Sequence, residues 1–118
     1  PPSISSINTS PELLLKVKKT ASELGILLRE GIYTWTLGPS YETPAEIKDI
    51  IKLGGNAVGM STVPEIMKAN ELGLNLIGIS CLTNYGAGLV NAPLSHEDVL
   101  ESSKRFQKEF SKLLIEIV

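Results

Sequence analysis

The sequence predicts an α/β fold with a mixed, largely parallel sheet flanked by helices. Helical and strand-like segments alternate along most of the chain, as they do in proteins built from β-α-β units. In addition, residues 74–82 form a nearly unbroken apolar run, which is typical of a central strand covered on both faces. The expected order is helix, two strands, helix, strand, helix, strand, loop and helix.

The first predicted elements are a capped helix and two strands. Ser10 precedes Pro11, so a side-chain N-cap is followed by proline at the first helical position. Gly25 is expected to end this helix. Residues 26–28 and 31–37 then favour extended structure. The apolar face of the helix is expected to consist of Leu13, Leu14, Val17, Ala21 and Leu24.

Two Thr-x-x-Glu sequences each predict a helix start. Thr43 with Glu46, and Thr62 with Glu65, have the spacing of a capping box. A short buried strand at residues 56–60 is expected between the two helices. Glycines at 54–55 and at 73 are expected to end them.

The last predicted elements are the strand at 74–82, a loop at 83–93 and a long helix capped by Ser95. The loop is expected because glycine, asparagine and proline recur in it. The buried stripe of the helix is expected to contain Val99, Phe106, Phe110, Leu113, Leu114 and Ile117.

Composition restricts the possible partners. The chain has 118 residues, 42% of them hydrophobic, and a formal net charge of −2, which suits one domain or part of one and favours neither nucleic acid nor an anionic membrane. One cysteine and one histidine leave no internal disulfide and no metal cluster to build. A cytoplasmic location is therefore expected. Residues 1–10 are polar and lack an initial methionine, so we expect a cut or a loop there rather than a native start.

Polar side chains follow three of the predicted strands and are expected to converge on one pocket, because ligands of open α/β sheets bind beyond the carboxyl ends of strands. Glu42 is either an exposed acid in a first helical turn or an acceptor for N–H groups of a ligand. Met60 fills the core or faces a ligand. Ser61 belongs to a plain turn or binds an anion such as phosphate beside helix-start N–H groups.

The end of the third predicted strand carries the thiol of Cys81 and the amide of Asn84, and His96 follows the cap of the last predicted helix. Asn84 either forms an Asx turn or reads a ring that carries a carbonyl beside a ring nitrogen, since its amide both donates and accepts. His96 is an exposed first-turn residue or a donor to a ligand hydroxyl. Cys81 is expected to be a small buried hydrophobic residue rather than a nucleophile.

Taken together, these motifs resemble the purine nucleoside phosphorylase family, in its trimeric form specific for 6-oxopurines. The matching stretches occur in family order and are residues 30–33, 38–46, 54–57, 58–65, 79–84 with 87–88, and 95–100. The resemblance implies phosphorolysis of inosine, guanosine and their deoxy forms to the free base and (deoxy)ribose 1-phosphate. Phosphate is then a co-substrate, and neither a metal nor an organic cofactor is required.

The resemblance also implies roles for the base-site residues. Glu42 matches the acid that holds the purine N1–H and 2-amino edge, and Asn84 matches the amide that contacts O6 and N7. These two are the expected catalytic residues, because Asn84 stabilises negative charge on the departing base. Tyr41 matches the aromatic that packs on the base, while Tyr33 and Thr83 match further pocket positions.

For the remaining substrate groups, Met60 matches the methionine under the ribose and His96 the histidine that binds the ribose 5′-hydroxyl. Ser61 matches a serine of the phosphate site. A related class that cleaves methylthioadenosine is expected to carry Asp where this chain has Asn84, and it lacks the run at 42–46, so 6-oxopurines are favoured.

The chain departs from the family in length and at one loop. Family members are much longer, and the N-terminal half, with its Gly-rich phosphate loop and its Arg- and His-bearing phosphate segment, has no counterpart among these 118 residues. Residues 1–118 are thus expected to form the C-terminal portion of one domain, with little turnover alone. The pair Tyr85-Gly86 also differs from the small residues often seen at this place in the family. The alternative is a non-catalytic, structural or purine-binding module.

Overall fold

The computed structural model describes residues 10–91 and 95–118. Residues 1–9, within the polar stretch predicted to be a cut or a loop, and residues 92–94, at and just beyond the end of the predicted loop 83–93, lie outside the described residues. The elements in chain order are α1 (Pro11–Glu23), β1 (Tyr33–Trp35), α2 (Pro44–Lys52), β2 (Ala57–Gly59), α3 (Val63–Glu71) and α4 (His96–Ile117).

The sheet is a parallel pair joined through a helix. β1 pairs with β2 so that Tyr33 lies opposite Ala57 and Trp35 opposite Gly59, and α2 connects the two strands. This confirms the predicted α/β class and the parallel pairing, although both strands are shorter than predicted. Because the strands run the same way, their carboxyl ends meet at one edge of the sheet.

Three of the four predicted helix caps are formed. The Leu13 N–H lies 3.4 Å from Ser10 Oγ, and the Asp98 N–H donates to Ser95 Oγ at 3.1 Å. At α2 the box is reciprocal, since the Thr43 N–H donates to Glu46 Oε2 at 2.6 Å and the Glu46 N–H donates to Thr43 Oγ1 at 3.3 Å. These hydrogen bonds satisfy amides that have no partner within the helix.

The second predicted capping box is wrong. Thr62 has φ 77° and ψ −48°, and its side chain caps no amide of α3. Its hydroxyl instead lies 3.1 Å from Ser61 Oγ. A β-branched residue rarely adopts positive φ, and capping needs an extended N-cap backbone, so the Thr-x-x-Glu spacing alone is not sufficient.

The core lies between the first and last helices. Val17 and Ala21 of α1 and Leu113 of α4 are each 1% exposed. The partly buried residues that pack against them are Ile26, Leu28, Ile77, Ile79 and Ile117. The predicted apolar faces are narrower than expected, because three of their members remain open to solvent: Leu24, Phe106 and Leu114.

The predicted strands at 26–28 and 74–82 are not formed, and the second segment is only partly buried, with Ile77 and Ile79 against the core. Leu74 and Leu82 are 58% and 61% exposed, and Cys81 is exposed rather than buried. A strand requires a hydrogen-bonded neighbour, and the run at 74–82 has a main-chain bond to another segment at Leu76, whose carbonyl accepts from the Ser10 N–H at 2.9 Å. An apolar run predicts a buried strand only where neighbouring strands are available.

Candidate functional site

The paired strands β1 and β2 place the candidate residues Tyr33 and Met60 against neighbouring glycines. The Thr36 N–H donates to the Gly59 carbonyl at 2.9 Å, which continues the strand pairing one step beyond Trp35. The Tyr33 hydroxyl fills the space that a Cβ at Gly59 would occupy. Met60 follows β2, and its sulfur lies where a Cβ at Gly38 would come within 2.5 Å, so Met60 covers the turn after β1.

Glu42 is held at this edge by the strand that precedes it. The Thr36 hydroxyl donates to Glu42 Oε1 at 2.6 Å, and both residues are half-buried. The bond closes the turn that contains Gly38, Ser40 and Tyr41. Glu42 is therefore a fixed carboxylate rather than a free first-turn acid, while its Oε2 is not engaged by Thr36.

Tyr41 links this turn to the start of α4. Its hydroxyl lies 3.0 Å from His96 Nδ1, and the direction of the proton depends on the imidazole tautomer. Tyr41 is 42% exposed, so part of its ring remains open for contact with a ligand. Two residues separated by 55 positions in the sequence are thus joined in the candidate site.

The loop that carries Asn84 packs against the beginning of α2. A Cβ at Gly88 would come within 2.8 Å of Pro44, and one at Gly86 within 3.0 Å of Ile47, so both glycines allow close approach. Asn84 lies just before them. Its Oδ1 accepts from Thr83 Oγ1 at 2.6 Å and its Nδ2 donates to the Tyr85 carbonyl at 2.9 Å.

These local bonds orient the Asn84 amide but keep its hydrogen bonding within its own segment. Ser61 is exposed, and its hydroxyl pairs with Thr62. The structure thus brings together Tyr33, Tyr41, Glu42, Met60 and His96 through direct contacts and through the turn, whereas Asn84, Thr83 and Ser61 lie on neighbouring loops.

The helix start beside the site carries a carboxylate whose pKa is shifted. Backbone and side-chain hydrogen bonds from Thr43 lower the pKa of Glu46, because they stabilise its charged form.

Within residues 10–91 and 95–118, no group of three or more His, Cys, Asp or Glu side chains is placed to hold a metal ion. No described helix is long and apolar enough to cross a membrane.

Two open clefts lie apart from these residues. One, of about 300 Å³, lies beside residues 73–76 and the start of α1, and the other, of about 260 Å³, lies between α3 and residues 76–78. Neither is lined by Glu42, Asn84 or His96. The site is assigned to the converging polar side chains, because no candidate residue lines either cleft. A site completed by further structure need not be concave here.

Sequence reasoning missed two residues at this site. The sequence around Thr36 predicts only extended structure. Thr36 lies two residues after Thr34, so both hydroxyls are expected on the same strand face, and it lies six residues before Glu42. The positive φ of Thr62 had no sequence signal, because such a backbone is rarely adopted by a β-branched residue.

The whole chain is similar in sequence to a known protein family. The Phosphorylase superfamily profile matches residues 1–118. The chain is 43% identical over 109 residues to Purine nucleoside phosphorylase 1 of Geobacillus stearothermophilus, covering 92% of this chain and 40% of that protein. It is 46% identical over 101 residues to Purine nucleoside phosphorylase 1 of Bacillus subtilis (strain 168), covering 86% and 37%.

A solved structure is similar over almost the whole chain. Purine nucleoside phosphorylase of Schistosoma mansoni in complex with inosine superposes with a TM-score of 0.88 at 29% identity, covering 98% of this chain and 42% of that one. The chain spans about 40% of the length of the curated relatives that it matches.

Proposed function

Because the chain belongs to the Phosphorylase superfamily, we propose that it supplies the purine-binding side of a purine nucleoside phosphorylase. The reaction is phosphorolysis of 6-oxopurine nucleosides to the free base and (deoxy)ribose 1-phosphate. The observation that carries the proposal is the half-buried Glu42 carboxylate, fixed by Thr36 beside the Tyr41 ring at the carboxyl edge of two parallel strands.

Glu42 and Asn84 read the base. A 6-oxopurine presents N–H donors at N1 and, in guanine, at the 2-amino group, and a carboxylate is an acceptor for both. Asn84 donates to O6 or N7 through its amide. That donation stabilises the negative charge that develops on the base as the N9-glycosidic bond breaks.

Met60, His96 and Ser61 serve the sugar and the phosphate. Met60 offers apolar surface under the ribose, and His96 binds its 5′-hydroxyl. Ser61 contributes one hydroxyl to the phosphate, which attacks the anomeric carbon and offsets positive charge on the ribosyl group. Binding the reactants in a fixed orientation contributes much of the acceleration. No cofactor takes part.

The proposed partner is the remainder of the family fold. The relatives are about two and a half times as long as the stretch that aligns here, since that stretch covers 40% and 37% of them. Large apolar side chains are also exposed, including Leu27 at 76%, Leu74 at 58% and Leu82 at 61%, and contact with further strands would bury them. A cytoplasmic homotrimer in purine salvage is the expected setting of this assembly.

A second candidate function is a non-catalytic module that binds purine or supports an oligomer. The observation that favours it is the shortage of phosphate ligands, because Ser61 is the one residue of these 118 that we propose for this role. A monomer of this chain that melts cooperatively, without a second polypeptide, would support this alternative.

The deciding experiment is phosphate-dependent cleavage of inosine. The assay compares this chain alone with the chain assembled with the remainder of the fold, each with and without phosphate. Turnover that requires both phosphate and the remainder supports the proposal, and Ser61→Ala should then raise the KM for phosphate more than the KM for inosine. An assembly that neither cleaves inosine nor binds hypoxanthine would overturn it.

A further inference from the structure

We propose that Thr36 is a positioning residue for purine recognition, acting through Glu42. This inference rests on the proposed function and names a residue that the motif positions do not include. Its basis is the 2.6 Å bond from Thr36 Oγ1 to Glu42 Oε1, between residues that are both half-buried.

Thr36 is itself anchored to the sheet. Its N–H donates to the Gly59 carbonyl at 2.9 Å, so its backbone is fixed by β2. Its hydroxyl lies 3.5 Å from the same carbonyl and 2.6 Å from Glu42, and a single O–H proton is better placed on the shorter contact to the carboxylate. The position of the Glu42 carboxylate is thus fixed relative to the sheet as well as to its own turn.

The bond leaves a defined acceptor for the ligand. Thr36 occupies one acceptor position of Oε1, and a carboxylate has about four such positions. Oε2 and the second position of Oε1 therefore remain for the two adjacent N–H donors of a guanine edge, or for the single N1–H of hypoxanthine. Without the Thr36 hydroxyl, the Glu42 carboxylate would have to be ordered when the base binds. The affinity for the base would therefore be weaker.

The test compares Thr36→Val with Thr36→Ser in the assembled protein. Val keeps the shape and removes the donor, so the KM for inosine and the Kd of hypoxanthine should rise about tenfold, as for the loss of a hydrogen bond to a charged group. Ser keeps the donor and should restore both constants to within about twofold of the parent. Thr34→Val, on the same strand face, is the matched control and should leave both constants unchanged.

A double-mutant cycle separates positioning from a structural effect. If Thr36 acts through Glu42, the penalty of Thr36→Val should largely disappear in a Glu42→Ala background, which has no acceptor for the Thr36 hydroxyl, and the KM for phosphate should stay constant. An equal penalty in both backgrounds, or no penalty in the parent, would overturn the inference. A parent protein that cleaves inosine while Thr36→Val is neutral would reject this role and leave the proposed function intact.

Discussion

The Tyr41 hydroxyl lies 3.0 Å from Nδ1 of His96, and this contact joins the turn after β1 to the first residue of α4. The proposed base site and the proposed ribose 5′ site are therefore coupled through one hydrogen bond. If the tyrosine donates, Nε2 carries the ring proton of the neutral imidazole and is available as a donor.

Tyr41→Phe should weaken recognition of the ribose 5′-hydroxyl while it retains the aromatic ring. We expect the KM for inosine to rise by about three- to tenfold, the usual effect of losing one hydrogen bond. Steady-state kinetics with inosine and 5′-deoxyinosine test this, because the penalty should be absent for the substrate without the hydroxyl. An equal loss with both substrates would show that the Tyr41 hydroxyl does not act through recognition of the ribose 5′-hydroxyl.

Asn84→Asp should change the preference between bases. The substitution replaces the amide donor by a carboxylate, which repels the O6 carbonyl and accepts from a 6-amino group. We expect the inosine-to-adenosine ratio of kcat/KM to fall by about 100-fold, equivalent to two hydrogen bonds. Asn70→Asp, on the exposed side of α3, is the control. An unchanged ratio would contradict the base-reading role of Asn84.

Glu46→Gln should destabilise the protein in a pH-dependent way. The folded state lowers the pKa of Glu46, so its stabilisation is complete above the unfolded-state pKa and is lost as pH falls through the folded-state pKa. The Tm difference between the parent and Glu46→Gln should therefore shrink between about pH 7 and about pH 3.

Glu65→Gln is the matched control for that series. Glu65 occupies the same place in the second Thr-x-x-Glu sequence, but Thr62 caps no amide there. Its substitution should leave the Tm nearly constant at every pH. The same acid-dependent trend in both variants would show that the capping box of α2 is not its source.

Gly59→Ala should disturb the site directly, since the Tyr33 hydroxyl occupies the position of the new Cβ. We expect a several-fold rise in the KM for inosine and a loss of about 1–3 kcal/mol in unfolding free energy from overpacking. Gly78→Ala places its Cβ at an ordinary 3.5 Å from Ile66 and serves as the control. A silent Gly59→Ala would mean that Tyr33 moves aside without cost to binding.

Leu113→Ala should lower the unfolding free energy by about 2–5 kcal/mol, because the side chain is 1% exposed and its removal leaves a cavity between α1 and α4. Leu15→Ala removes the same atoms from a side chain that is 69% exposed and should cost less than about 0.5 kcal/mol. Denaturant titration of both variants measures the difference, and equal losses would place the core elsewhere.

Local signals predicted all four helices of the described residues, whereas the prediction of strands was limited by pairing between distant segments. Ser10, Thr43 and Ser95 cap the helices that their sequences predict, because a cap needs partners only within the next turn. The run at 74–82 lacks the pairing that its apolar pattern predicts, since that pairing depends on neighbours far away in sequence or absent from these residues.

The same distinction applies to the candidate site. The positions of Glu42, Met60 and His96 follow from motifs, and the parallel strands explain why the first two lie at one edge. The bonds from Thr36 to Glu42 and from Tyr41 to His96 could not be predicted from spacing, because they depend on how the turn at 37–41 folds back.

Because α4 is long, a small rotation of the helix at its buried end produces a larger displacement at the ribose end of the site. Leu113 lies in the core, and His96 begins the same helix 17 residues earlier, which corresponds to about 25 Å along the axis. A tilt of about 2° at the buried end would move His96 by roughly 0.9 Å, a displacement large enough to impair orientation in an active site. Core substitutions that leave the protein folded could therefore alter how the sugar is held.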